Sequence, residues 1–174
     1  MAVVELLKKK GLTISTAESC TGGMTAAKLV NVPGASNVFM EGVVTYSNEA
    51  KMRLLGVRQE TLETFGAVSR ETAQEMAEGG VKMSGSDICV DITGLAGPGG
   101  GTDKKPVGLV FMACCLKGRT EIREDHFKGN RDKIREQSRM KALELVWLCV
   151  LEHSCTLAVL QDAGRRRRLG LCCK

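Results

Sequence analysis

Aromatic and imidazole side chains are scarce in this chain. One Trp, one Tyr and four Phe stand among 174 residues, too few for the stacking surface with which proteins hold single-stranded nucleic acid. The two histidines, His126 and His153, do not stand at metal-ligand spacing from a cysteine pair, and no Cys-x-x-Cys occurs. A metal centre is therefore not expected. No stretch approaches the roughly 18 consecutive apolar residues that a membrane-spanning helix needs. Nor does the N-terminus have the order of a secretory signal, because Glu5 interrupts the first apolar stretch and Lys8, Lys9 and Lys10 follow it.

Positive charge is also scarcer than the net +5 suggests. Residues 156–174 hold Arg165 to Arg168 and Lys174 against Asp162, a net +4, so the other 155 residues carry +1. A nearly neutral body offers no electrostatic footprint for a specific nucleic-acid partner. The eight cysteines do not read as disulfides: Cys89, Cys114 and Cys115 lie inside apolar runs and behave as small buried hydrophobes. A reduced, cytoplasmic protein is expected.

Strand and helix signals alternate along the chain. Residues 12–16 read as a short buried strand, 24–30 as a helix, 39–45 as a strand, and 48–55 and 59–65 as short helices. Ser69 is a good N-cap for a longer helix carrying Ala73, Met76, Ala77 and Val81 on its apolar stripe. Residues 87–93 read as a buried strand, 107–116 as a long central strand, and 120–127 as a charged edge strand after a Lys117-Gly118 turn. Residues 131–149 close the domain as a helix. The pattern predicts an α/β sandwich with a mostly parallel sheet and one hairpin-linked antiparallel strand. It also predicts one domain over residues 1–155, followed by a basic, disordered tail over 156–174.

Three loops rich in small residues follow strands: residues 19–23, 46–48 and 94–102. In an open α/β sheet ligands bind beyond the carboxyl ends of the strands, so these loops are expected to share one crevice. The first holds Ser19, Cys20, Thr21, Gly22 and Gly23 at a strand-to-helix turn, where unpaired N–H groups and the helix dipole favour an oxyanion or a phosphate. Ser19 is a candidate nucleophile there; alternatively Ser19 or Thr21 caps the helix. The third loop has five glycines in nine positions from Gly94, which lets its amides approach an anion closely. It is neither a Walker loop nor a dinucleotide fingerprint. A serine nucleophile needs a base. Neither histidine is well placed, so a lysine is the alternative, and Lys51, one turn into the helix after Tyr46-Ser47-Asn48, can point back to the sheet end. Tyr46 and Arg131 stand on the presumed rim. Cys20 offers a weaker nucleophile without a histidine partner.

These segments together, Ala17-Glu18-Ser19-Cys20-Thr21-Gly22-Gly23, Val44 to Lys51 with Leu54-Leu55-Gly56-Val57, Gly66-Ala67-Val68-Ser69, Thr93 to Thr102 with Lys105-Pro106-Val107-Gly108, and Gly129-Asn130-Arg131, resemble the CinA C-terminal domain family. The resemblance runs from about Val4 to about Cys149, with the segments in order. It implies a three-layer α/β/α fold with a mixed, mostly parallel sheet, and an assembly of identical chains, a dimer first. Members of this family include nicotinamide mononucleotide deamidases, which release ammonia from the carboxamide and require no metal or cofactor. By resemblance the nucleophile falls on Ser19 and the base on Lys51, with Tyr46 beside them. Cys20, Thr21 and Gly22 then line the oxyanion side and Asn48 the rim, while Thr93, Gly94, Gly97, Gly99, Gly100 and Arg131 surround a nucleotide substrate. The pyrophosphatase domain of longer relatives is not expected among these residues. A non-catalytic nucleotide-binding module of the same fold is the rival reading.

Overall fold

The computed structural model describes the backbone of residues 2–169 and the side chains of residues 2–153. Among the described residues eleven α-helices and β-strands follow in order, with one short 3-10 helix (Ala35–Asn37) before the second strand: α1 (Ala2–Lys10), β1 (Ile14–Glu18), α2 (Met24–Val30), β2 (Phe39–Val44), α3 (Asn48–Leu55), α4 (Gln59–Phe65), α5 (Arg70–Ser84), β3 (Ile88–Gly94), β4 (Leu109–Leu116), β5 (Arg119–His126) and α6 (Arg131–Leu169). The five strands form one sheet in the order β2-β1-β3-β4-β5. β1 pairs in parallel with β2 and β3, whereas β4 is antiparallel to both β3 and β5. Four strands thus run one way and β4 alone runs back. The centre of the sheet is β3 rather than β4, which lies one place from the edge because its partner β5 adds outside it. β2 and β5 are the two edge strands, and the charged side chains of β5 are mostly half-exposed, as an edge facing water allows.

The two faces are assigned by strand periodicity. Ile14, Ile88, Val90, Ile92, Val110, Met112 and Cys114 pack under α1, α2 and α6. Ala17, Cys89, Phe111, Ala113 and Cys115 face the other way, toward α3, α4 and α5. The result is three layers, α/β/α. Helix boundaries follow local chemistry: Ser47 accepts from the Ala50 N–H and Ser69 from the Thr72 N–H, while Gly56 and Gly85 end α3 and α5 with left-handed backbone. Gly79 has a further role. A Cβ there would lie 1.8 Å from the Leu55 carbonyl oxygen, so α5 touches the end of α3 through bare backbone.

α6 continues past Cys149 to Leu169. No proline stands between Cys149 and Leu169 to break it. The expectation of a disordered tail over 156–174 falls on side chains, and for 170–174 on backbone, outside the described residues. Among the described residues no helix is long and apolar enough to cross a membrane.

Candidate active site

Parallel β1, β2 and β3 end on the same side of the sheet, and the loops that leave them meet there. Together with the start of α6 they line a cleft of about 280 Å³. Ser19, Cys20, Tyr46, Lys51, Thr93, Gly94, Gly97, Gly99 and Arg131 contribute to its wall, as do Ala67 and Val68 from the α4–α5 connection. Thr21, Gly22, Asn48 and Gly100 do not line it: Thr21 is fully buried, and the other three are exposed outside the cleft.

Ser19 lies one residue beyond β1 and its N–H donates to the Ile92 carbonyl, which seats it beside the end of β3. Lys51 is 1% exposed, and its Nζ stands 3.2 Å from Ser19 Oγ and 2.7 Å from the Thr45 carbonyl oxygen. Burial holds this amine below its ordinary pKa, against the opposite pull of Asp91. A neutral amine has two N–H bonds and one lone pair. With one N–H committed to Thr45, the lone pair can receive the Ser19 proton along the 3.2 Å contact. Cys20 is the weaker nucleophile: burial, with Asp91 acting in the same sense, pushes its thiol up to about 12.

Neither Ser19 nor Thr21 caps α2. The cap is Glu18, a β1 residue 1% exposed, which accepts from the N–H groups of Gly23, Thr25 and Ala26 at 3.1, 3.0 and 2.9 Å. The Gly22 N–H is spent on the Ser19 carbonyl. The N–H groups of Cys20 and Thr21 are engaged by no other oxygen among the described residues. Arg135 of α6 secures the loop from outside, donating to the Cys20 and Thr21 carbonyls at 3.0 Å each. On the opposite wall the Thr93 hydroxyl donates to the Ala67 carbonyl, and Lys105 Nζ donates to the Phe65 and Val68 carbonyls. Gly97 has a φ of 73°, and a Cβ there would lie 2.6 Å from Val107, so the loop turns where only glycine fits comfortably. Arg131 bridges the rim, donating to the Gly97 carbonyl at 2.7 Å and to the Tyr46 hydroxyl at 3.2 Å. Among the described residues no group of three or more His, Cys, Asp or Glu is placed to hold a metal ion.

Sequence reasoning missed Glu18, Arg135 and Lys105 as builders of the site. A glutamate ending a wholly buried strand was the available signal for the first. The other two act across more than 100 and about 40 residues, respectively, and leave no local mark.

The model of the CinA C-terminal domain family matches residues 1–150. The chain is 58% identical over 144 residues to a CinA-like protein of Kosmotoga olearia, covering 83% of this chain and 35% of that protein. It is 57% identical over 146 residues to a competence-damage inducible protein of Clostridium perfringens, covering 84% and 35%. The chain thus spans about a third of the length of these curated relatives. Among solved structures, a CinA superfamily protein from Klebsiella pneumoniae superposes with a TM-score of 0.84 at 37% identity, covering 86% of this chain and 94% of that one. A competence/damage inducible protein from Agrobacterium tumefaciens superposes with a TM-score of 0.80 at 43% identity, covering 86% and 96%.

Proposed function

The chain belongs to the CinA C-terminal domain family, and within it we propose that this protein is a nicotinamide-nucleotide amidase, hydrolysing the carboxamide of nicotinamide mononucleotide to nicotinate mononucleotide and ammonia. The observation that carries the reading is the 3.2 Å contact between a buried lysine amine and a serine hydroxyl at the floor of a cleft. Ser19 Oγ attacks the carboxamide carbon as its proton passes to Lys51 Nζ. The oxyanion forms against the Cys20 N–H, on the cleft wall beside Ser19. The C–N bond then breaks, and Lys51 or Tyr46 supplies the proton with which ammonia departs. Water, deprotonated by Lys51, attacks the acyl-enzyme, releasing the acid and restoring Ser19. The amides of Ala96, Gly97 and Gly99 on the cleft wall and the N–H groups that Arg131 does not spend on Gly97 and Tyr46 hold the 5′-phosphate. No metal or cofactor takes part. The protein works in the cytoplasm as a homo-oligomer, a dimer first, and its one required partner is the nucleotide.

Purified protein incubated with nicotinamide mononucleotide should release ammonia and nicotinate mononucleotide in equal amounts. Nicotinamide should be a poor substrate, because binding energy from the phosphate positions the reacting carbon. Tight binding without ammonia would leave a nucleotide-binding module instead.

A further inference from the structure

β3 carries a carboxylate where a buried strand has no ordinary use for one. Asp91 is 0% exposed, and neither of its oxygens has a hydrogen-bond partner at ordinary geometry. Such a group in an apolar interior is costly unless something charged lies near. Its lateral neighbours in the sheet cannot serve, because its register partners are Ala17 on β1 and Ala113 on β4. Asp91 sits on the same face as Thr93, one pleat or about 6–7 Å deeper than that residue of the cleft wall. Ala17 is likewise one pleat below Ser19. Asp91 therefore lies beneath the floor on which Ser19 and Lys51 meet. Among the described residues no direct ion pair forms, yet Lys51 is the one cation that acts on it. The other titratable groups with which it interacts are Glu18 on β1, Cys20 beyond β1 and Cys89 on β3. Glu18 is already committed to α2, and both thiols are held protonated by burial.

We propose that Asp91 is the positioning counter-charge for the base: a buried carboxylate that stabilises the ammonium Lys51 becomes on taking the Ser19 proton. No bond to Asp91 is made or broken; the proton moves only from Ser19 Oγ to Lys51 Nζ, and Asp91 acts through the field. The arrangement has a second consequence. Burial pushes the Asp91 carboxyl well above its ordinary value and the Lys51 amine below its own, which narrows the gap between their proton affinities. Against that cost of burial the two charges attract, so each makes the other's less costly in a site closed to water. The catalytic part of this inference rests on the Ser19–Lys51 amidase reading.

Two readouts separate the inference from that reading. The first is the side-chain resonance of Lys51, followed by NMR against pH in isotope-labelled wild type, Asp91→Asn and Asp91→Ala, and assigned by its absence in Lys51→Met. The alanine variant matches the size of the two register neighbours and carries the test if the asparagine variant does not fold. In both variants the Lys51 midpoint should fall by about one pH unit or more, as expected for losing an opposite charge nearby. The second is the pH profile of kcat/KM for nicotinamide mononucleotide: its acid limb should move down with the NMR midpoint, and its alkaline plateau should drop roughly tenfold. An unmoved or raised Lys51 midpoint in a folded variant overturns the assignment. A lowered midpoint in a protein whose wild type releases no ammonia upholds the Asp91–Lys51 coupling and removes the amidase reading.

Discussion

Glu18 offers the sharpest test of how the nucleophile loop is built. Its carboxylate accepts three backbone N–H groups at the start of α2 while 1% exposed. Hydrogen bonds to a charged group contribute about 1.5–3 kcal/mol each, and a carboxylate at a helix N-terminus adds up to ~2 kcal/mol where it is partly buried. The three bonds are not equivalent. When Glu18 is removed, water can reach the half-buried Gly23 and Ala26 but not the fully buried Thr25. Glu18→Ala should therefore cost about 4–6 kcal/mol, one donor being left unsatisfied in the interior. Glu18→Gln keeps the shape and one acceptor oxygen but turns an amide N–H toward other N–H groups. It should cost about 2–3 kcal/mol, or ~4–12 °C in Tm for a domain of this size. Urea unfolding followed by circular dichroism measures both. A Glu18→Gln protein within about 0.5 kcal/mol of wild type, the range of an ordinary surface substitution, would refute the argument that this carboxylate holds the turn.

Ser19→Ala and Lys51→Ala should each abolish ammonia release while nucleotide binding, followed by calorimetry, persists, and the double variant should be no worse than either single one. Cys20→Ser should keep most of the activity; a folded Cys20→Ser protein as inactive as Ser19→Ala would move the nucleophile to the thiol. Gly79→Ala would stabilise an unobstructed helix by about 1 kcal/mol, but here its Cβ meets the Leu55 carbonyl. It should instead destabilise by about 2–3 kcal/mol and slow turnover by displacing α3, with unchanged stability as the refuting result. Deleting residues 156–174 should leave Tm within about 2 °C of wild type, and a larger fall or a change of oligomer size on chromatography would make that segment structural.

Much of the architecture was legible because its signals are local. Ser69 and Gly56 announce helix ends with a side chain or the lack of one, and the expected bounds of α2, α3 and α4 are those observed. The cleft was legible at one remove, since loops after parallel strands must gather at one edge of the sheet. The supporting charges were less so. Arg135 reaches back 115 residues to the Cys20 carbonyl, and nothing in its neighbourhood distinguishes it from a solvated helix arginine. Asp91 did leave a trace, a carboxylate in the apolar run Ile88–Ile92, but its meaning depends on Lys51, which lies 40 residues earlier in sequence. The order of the strands was legible least: whether β4 or β3 is central depends on where β5 docks, a competition between edges that periodicity does not see.

The β4–β5 hairpin has a consequence of parity. Thr93 and Gly94 end β3 in the cleft, so antiparallel β4 carries the chain away from it and β5 carries it back. Two traversals cancel, and α6 starts at the cleft with Arg131 on its rim. One traversal more or fewer would start that helix at the far edge, roughly 26 Å away over an eight-residue strand. The hairpin thus works as a return trip whose turn, Lys117-Gly118, lies at the end of the sheet opposite the cleft. A reporter peptide or affinity tag spliced between those two residues would lengthen the journey without altering its destination.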